Sequence, residues 1–209
     1  MLIALCGYKG SGKDTCADYL VEKYGFKKMA FADHLKTILK TMFMFTDEQL
    51  YGTIEQKETP DPNWYGCTPR LAMQFVGTEL IRNQLDTIMP GLGSNYFVKY
   101  LEMQIMAMRK ENPSTNIVIS DMRCDNEYDM VNKLGGFTFR VDRDTIEKVD
   151  LHMTETAFLK FDVDFIIKND SDIESLREKI NIATEALLVS PEIEKIIGKP
   201  GKIVKNIII

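Results

Sequence analysis

Residues 7–15 read Gly7-Tyr8-Lys9-Gly10-Ser11-Gly12-Lys13-Asp14-Thr15 and follow directly on the apolar run Leu2-Ile3-Ala4-Leu5-Cys6. That succession dictates a short buried strand, a glycine-rich turn and a helix that opens on Lys and Thr. Glycines let the backbone curl until successive N–H groups face one anion. The helix start adds unpaired donors and the positive end of its dipole. Lys13 brings a mobile charge for the outer phosphates, and a hydroxyl nearby suits Mg²⁺. One position departs from the usual phosphate-loop pattern: Asp14 stands where Ser or Thr is the rule, and Thr15 follows. A turn of purely structural purpose needs neither the Lys nor the strand before it. The expectation is a nucleoside triphosphate site made by Gly10, Ser11, Gly12, Lys13, Asp14 and Thr15.

The rest of the chain narrows the partners. At 209 residues it suits one α/β domain with a small inserted lid. A net charge of −5 argues against a nucleic-acid surface, which favours a basic face. Cys6, Cys16, Cys67 and Cys124 show no CxxC spacing, so packed, reduced thiols are expected rather than disulfides or zinc ligands. The apolar start is too short for a signal peptide, and no run reaches the roughly 20 apolar residues of a membrane span. A soluble cytoplasmic chain (host cytoplasm if viral) is expected, with no nucleic-acid or membrane partner; a homodimer is left open.

Periodicity predicts a strand at Leu2–Cys6, a helix over Asp14–Tyr24, a strand at Lys28–Phe31, and a helix capped by Asp33. A brief helix follows around residues 46–50, and residues 59–66 read as a loop. Pro69 opens a helix that carries Arg70 and Arg82, twelve apart and so just over three turns, on one face. A long helix fills Tyr96–Lys110. Strands at Ile117–Ser120, Phe137–Val141 and Phe165–Ile167 alternate with helices at Glu127–Leu134 and Ile173–Leu188. Continuous apolar strands separated by helices imply a parallel sheet covered on both faces. The apolar end Ile207-Ile208-Ile209 fits an added strand or a contact surface.

A phosphate loop serves kinases, GTPase switches and mechanical ATPases. The switch reading needs Asn-Lys-x-Asp, and Asn132-Lys133-Leu134-Gly135 lacks the Asp. A small kinase must hold a second anion and neutralise the transferred group with Mg²⁺ and arginines. Asp121, at the end of an apolar strand, suits Mg²⁺ or catalysis, although it could instead cap the next helix; Arg123 can reach a phosphate. Arg143 opens a charged segment that reads equally as a lid over the phosphates or a polar loop. Trp64 reads equally as core or as a stacking platform for a base. His34 and His152 read as structural, His34 beside Asp33 and His152 with Glu155 at a helix start.

Ordered blocks now accumulate: the loop ending Lys13-Asp14-Thr15, Phe31-Ala32-Asp33-His34-Leu35-Lys36, Thr68-Pro69-Arg70 continuing to Gln74 and Gly77-Thr78-Glu79 with Arg82, Ser120-Asp121-Met122-Arg123 with Asn126-Glu127, and His152-Met153-Thr154-Glu155. Together they resemble the deoxynucleoside monophosphate kinases of bacteriophages and large DNA viruses, P-loop kinases, over residues 1–188. Leu71 departs from the basic residue expected after Arg70 in some relatives. The resemblance implies an ATP-dependent, Mg²⁺-requiring phosphotransferase that acts on a deoxynucleoside 5′-monophosphate. It implies catalytic roles for Lys13, Asp14, Asp121 and Arg123, metal ligation by Thr15 and Asp121, and ATP contact by residues 10–15 and Arg143. Asp33, Arg70, Gln74, Arg82 and Glu127 would line the monophosphate side. The implied fold is a three-layer P-loop kinase with a five-stranded parallel sheet of order 2-3-1-4-5. A monophosphate-binding helical region falls at about 33–110, a lid at about 140–156, and a tail of unassigned role at 189–209. The rivals are a sister kinase for phosphomevalonate or dephospho-coenzyme A and a regulatory protein that hydrolyses ATP slowly.

Overall fold

The computed structural model describes residues 1–144, 156–189 and 207–209, with the backbone alone at Val189. Leu2–Cys6 forms β1, which is buried at all five positions. The loop then leads into α1 (Lys13–Tyr24), which stops at Gly25 in a left-handed conformation. β2 is Lys27–Met29, shorter and earlier than expected, because Phe31 is already helical. Next come α2 (Phe31–Phe43), α3 (Asp47–Tyr51), α4 (Ile54–Glu58), α5 (Pro69–Gln74) and α6 (Leu85–Ile88). α7 (Tyr96–Glu111) leads to β3 (Ile117–Ile119), α8 (Asp125–Lys133), β4 (Phe137–Asp142), β5 (Phe165–Lys168), α9 (Ile173–Val189) and β6 (Ile207–Ile208).

The chain divides into two compact units, residues 1–30 with 106–209, and residues 31–105. The first holds one parallel sheet of order β2-β3-β1-β4-β5-β6. β1 lies at its centre, with Ile3 beside Val118 on one side and Phe137 on the other. Ile3 and Leu5 pack with Cys16, Ala17 and Leu20 of α1 and with Leu176, Ile180 and Ala183 of α9. Val131 of α8 and Leu2 close over Gly136, where a Cβ would lie within 3 Å of both. Cover on both faces is why β1 needs no polar alternation. The order 2-3-1-4-5 is present, but the sheet has six strands rather than five: Ile207 pairs with Phe165, and the N–H of Ile209 donates to the Ile166 carbonyl at 3.0 Å. The β-branched end of the chain is therefore an edge strand.

The second unit is helical around Leu39, Phe45, Leu50, Ala72, Val76, Ile81 and Phe97. Thr46 with Gln49, and Thr53 with Gln56, form reciprocal capping boxes that start α3 and α4. α4 was not anticipated from the sequence. Asp33 does not cap α2, which has begun two residues earlier. The helix from Pro69 is not one α-helix either: α5 passes into π-helix over Phe75–Gln84 before α6. At α spacing, twelve residues overshoot three turns by about 120°, which would part Arg70 from Arg82. The wider π turns remove much of that overshoot. Gly77, within the π segment, lies so close to α2 that a Cβ would sit 2.8 Å from Leu35 Cδ2.

All four cysteines are free thiols. Burial pushes Cys6 and Cys16 up to about 12, whereas Cys67 and Cys124 are partly exposed. At pH 8 a thiol with that value is thiolate in only about one molecule in 10⁴. A chromogenic disulfide reagent is therefore expected to titrate two thiols in the native chain and four after unfolding. Rapid release of four from the native protein would contradict the buried placement.

Candidate active site

The loop is held by close backbone contact. Gly7 and Gly12 have φ of 139° and 106°. A Cβ on Gly7 would stand 2.4 Å from the Val141 carbonyl oxygen, and one on Gly12 2.8 Å from Asn169 Nδ2. Neither position accepts a side chain. Asn169 clasps the loop from the end of β5, donating from Nδ2 to the Ser11 carbonyl at 2.9 Å, while its own N–H donates to Asp142 at 2.7 Å. Lys13 is 7% exposed, and its ammonium folds back to donate to the carbonyls of Gly7 (2.9 Å) and Tyr8 (2.7 Å). Burial, then the Arg123 guanidinium, holds Lys13 below the ordinary lysine value, while Asp14 and Asp121 pull it upward. Those four predicted residues thus share one electrostatic neighbourhood. The Ser11 hydroxyl is buried with no hydrogen-bond partner among the described residues.

Beside the loop lies a cavity of about 730 Å³, a size that admits a nucleotide-sized ligand. Gly10, Gly12, Lys13, Asp14, Thr15 and Arg143 line it, together with Asn169, Ser171, Asp172, Ile173 and Leu176. The second group escaped the sequence reading. Its signal was the polar run Asn169-Asp170-Ser171-Asp172 directly after β5, where parallel sheets place ligands. Arg140 lies inside β4, its Nε–H donating to the Asp142 carboxylate at 3.1 Å.

Asp121 follows β3 by way of buried Ser120, and Arg123 beyond it is exposed. Glu127 is buried, and its Oε2 accepts from the N–H groups of Arg123 (2.6 Å) and Cys124 (3.0 Å). It belongs to the first unit, where it caps α8 and fixes the backbone that carries Arg123. Asp14 lies 3.0 Å from Lys28 of β2. Mg²⁺ takes hard oxygen ligands and needs only one or two carboxylates besides phosphate oxygens and water. Asp14, Thr15 and Asp121 offer that donor set.

In the second unit, Arg70 has its Nε–H buried without a hydrogen-bond acceptor among the described residues; the carboxylate of Glu58 stands 3.9 Å away. Gln74 and Arg82 are exposed, Arg82 over the Phe97 ring at 5.7 Å. Burial, then the Asp33 carboxylate, pushes the Tyr51 hydroxyl above its ordinary value. His34 has the structural surroundings expected of it: its ring stacks on Tyr100 with centroids 3.4 Å apart, its Nε2 lies 2.9 Å from the Tyr96 hydroxyl, and burial lowers its pKa. Trp64 donates from Nε1 to the Phe43 carbonyl at 2.6 Å and packs edge-on to Phe43, so it is part of the packing of this unit. His152, Glu155 and most of the expected lid lie outside the described residues, as does most of the tail.

The model of the deoxynucleotide monophosphate kinase family matches residues 1–61 and 63–180. The chain belongs to this family. A putative deoxynucleotide monophosphate kinase of Acanthamoeba polyphaga mimivirus is 44% identical over 181 residues, covering 86% of this chain and 94% of that protein. The deoxynucleotide monophosphate kinase of Enterobacteria phage T4 is 30% identical, covering 89% and 99%. Among solved structures, the dephospho-CoA kinase of Campylobacter jejuni superposes with a TM-score of 0.49 at 14% identity, covering 89% of this chain and 96% of that one. The deoxynucleotide monophosphate kinase match takes in the loop, the helical unit and the strands through β5, and it ends before β6.

Proposed function

We propose that this chain transfers the γ-phosphoryl group of ATP to the 5′-phosphate of a deoxynucleoside monophosphate, giving ADP and the diphosphate. The observation that carries this reading is the buried Lys13 ammonium, held on two carbonyls of its own loop beside a nucleotide-sized cavity, in a chain of the deoxynucleotide monophosphate kinase family. An oxygen of the acceptor phosphate attacks the γ-phosphorus. The bond to the β–γ bridging oxygen breaks, and ADP leaves with that electron pair. The acceptor is already ionised, so no strong base is needed, and positioning with charge neutralisation does the work. Lys13 exchanges its two loop carbonyls for phosphate oxygens. Thr15 and Asp121 would hold Mg²⁺, which when bound neutralises phosphate charge, and Asp14 sits beside the transferred group. Arg123 and Arg143 answer the remaining phosphate oxygens. Asp33, Gln74 and the guanidinium forks of Arg70 and Arg82 hold the monophosphate.

ADP release measured across a panel of phosphorylated acceptors tests the proposal. Turnover is expected to depend on an added deoxynucleoside monophosphate. Hydrolysis indifferent to acceptor would support a regulatory protein, and turnover confined to phosphomevalonate or dephospho-coenzyme A would support a sister kinase.

A further inference from the structure

Lys28 has no assigned role, yet it is the residue that holds Asp14. Its ammonium lies 3.0 Å from Asp14 and 2.9 Å from Asp18, two carboxylates one turn apart on α1. β2 fixes the backbone of Lys28 by pairing with β3, where Lys28 stands beside Val118. α1 begins at Lys13, so Asp14 and Thr15 are its second and third residues, about 100° apart around the axis. Asp14 faces Lys28 while also lining the cavity. A carboxylate at that place repels phosphate unless a cation stands between them. Resting on the triphosphate reading of the loop, we propose that Lys28 is a positioning residue: it holds the Asp14 carboxylate and cancels its charge until a metal–nucleotide arrives. When Asp14 turns to the incoming cation, Lys28 keeps Asp18, so no ammonium is stranded.

The test is calorimetric titration of ADP into the full chain, once in EDTA and once in excess Mg²⁺, reading the ratio of the two dissociation constants. Lys28→Met is expected to weaken binding in EDTA about two- to fivefold more than in Mg²⁺, the range an exposed ion pair supports. Lys28→Arg, which keeps the charge, is expected to restore the parent ratio. In an Asp14→Asn background, Lys28→Met is expected to leave the ratio where Asp14→Asn alone puts it, because Lys28 acts only through that carboxylate. A ratio unmoved by Lys28→Met, or moved equally in both backgrounds, would overturn the proposal. Failure of the parent chain to bind ADP in either buffer would overturn the nucleotide-site reading, and this inference with it.

Discussion

Lys13→Ala is expected to lower turnover by about 10²–10³, the loss that follows removal of one preorganised charge donor at a reacting centre. The side chain is poised for that work. It is almost wholly buried, and its two hydrogen bonds go to carbonyls of its own loop, an arrangement that phosphate oxygens can replace without moving the backbone. Burial, then the Arg123 guanidinium, holds its pKa below the ordinary lysine value, a cost to the charged form that the negative charge of an incoming triphosphate offsets. The loop should survive the substitution, because its shape depends on Gly7, Gly12 and the Asn169 clasp. Turnover at saturating ATP and acceptor, compared at matched melting temperature, is the measurement. A variant that kept near-parental turnover with every acceptor would remove Lys13 from the chemistry.

What could be read from the sequence follows from how local each cause is. β1, the glycine turn and α1 were legible because strand, turn and helix start are adjacent and each is set by its own residues. Apolar runs alternating with helices pointed to a parallel sheet, and the order of its first five strands came from the family resemblance. Asn169 was not legible, because its partner Ser11 lies 158 positions away and only the folded sheet brings β5 beside the loop. Lys28 was hidden for the same reason: nothing in its neighbours announces Asp14. The passage of α5 into π-helix was invisible too, since residues 75–84 carry no Pro to interrupt an α-helix, and the close approach of Gly77 to Leu35 exists only in the folded unit. Glu127 carries a local signal besides the one from the resemblance: its position three residues after Cys124 is that of a helix cap, and its carboxylate accepts from the backbone N–H of Cys124.

Arg70→Ala is expected to raise the KM for the monophosphate roughly 10- to 100-fold, the equivalent of one lost hydrogen-bonded charge contact, with the KM for ATP nearly unchanged. The basis is the guanidinium itself. Its Nε–H is buried without an acceptor among the described residues, and at 3.9 Å the Glu58 carboxylate is too distant to be one. A buried, unanswered donor on a cation invites an oxyanion, and a fork can take two phosphate oxygens at once. Pro69 at the first turn, with the Thr68 hydroxyl accepting from Leu71 at 3.1 Å, fixes the helix start from which Arg70 projects. Arg70→Lys is expected to recover little, because a point charge cannot reproduce the paired contact. Arg82→Ala is expected to have the smaller effect, since Arg82 is exposed and lies over Phe97. Steady-state kinetics with each substrate varied in turn separates the cases: an equal rise in both KM values would place Arg70 in general support of the fold, and an unchanged acceptor KM would remove it from the monophosphate side.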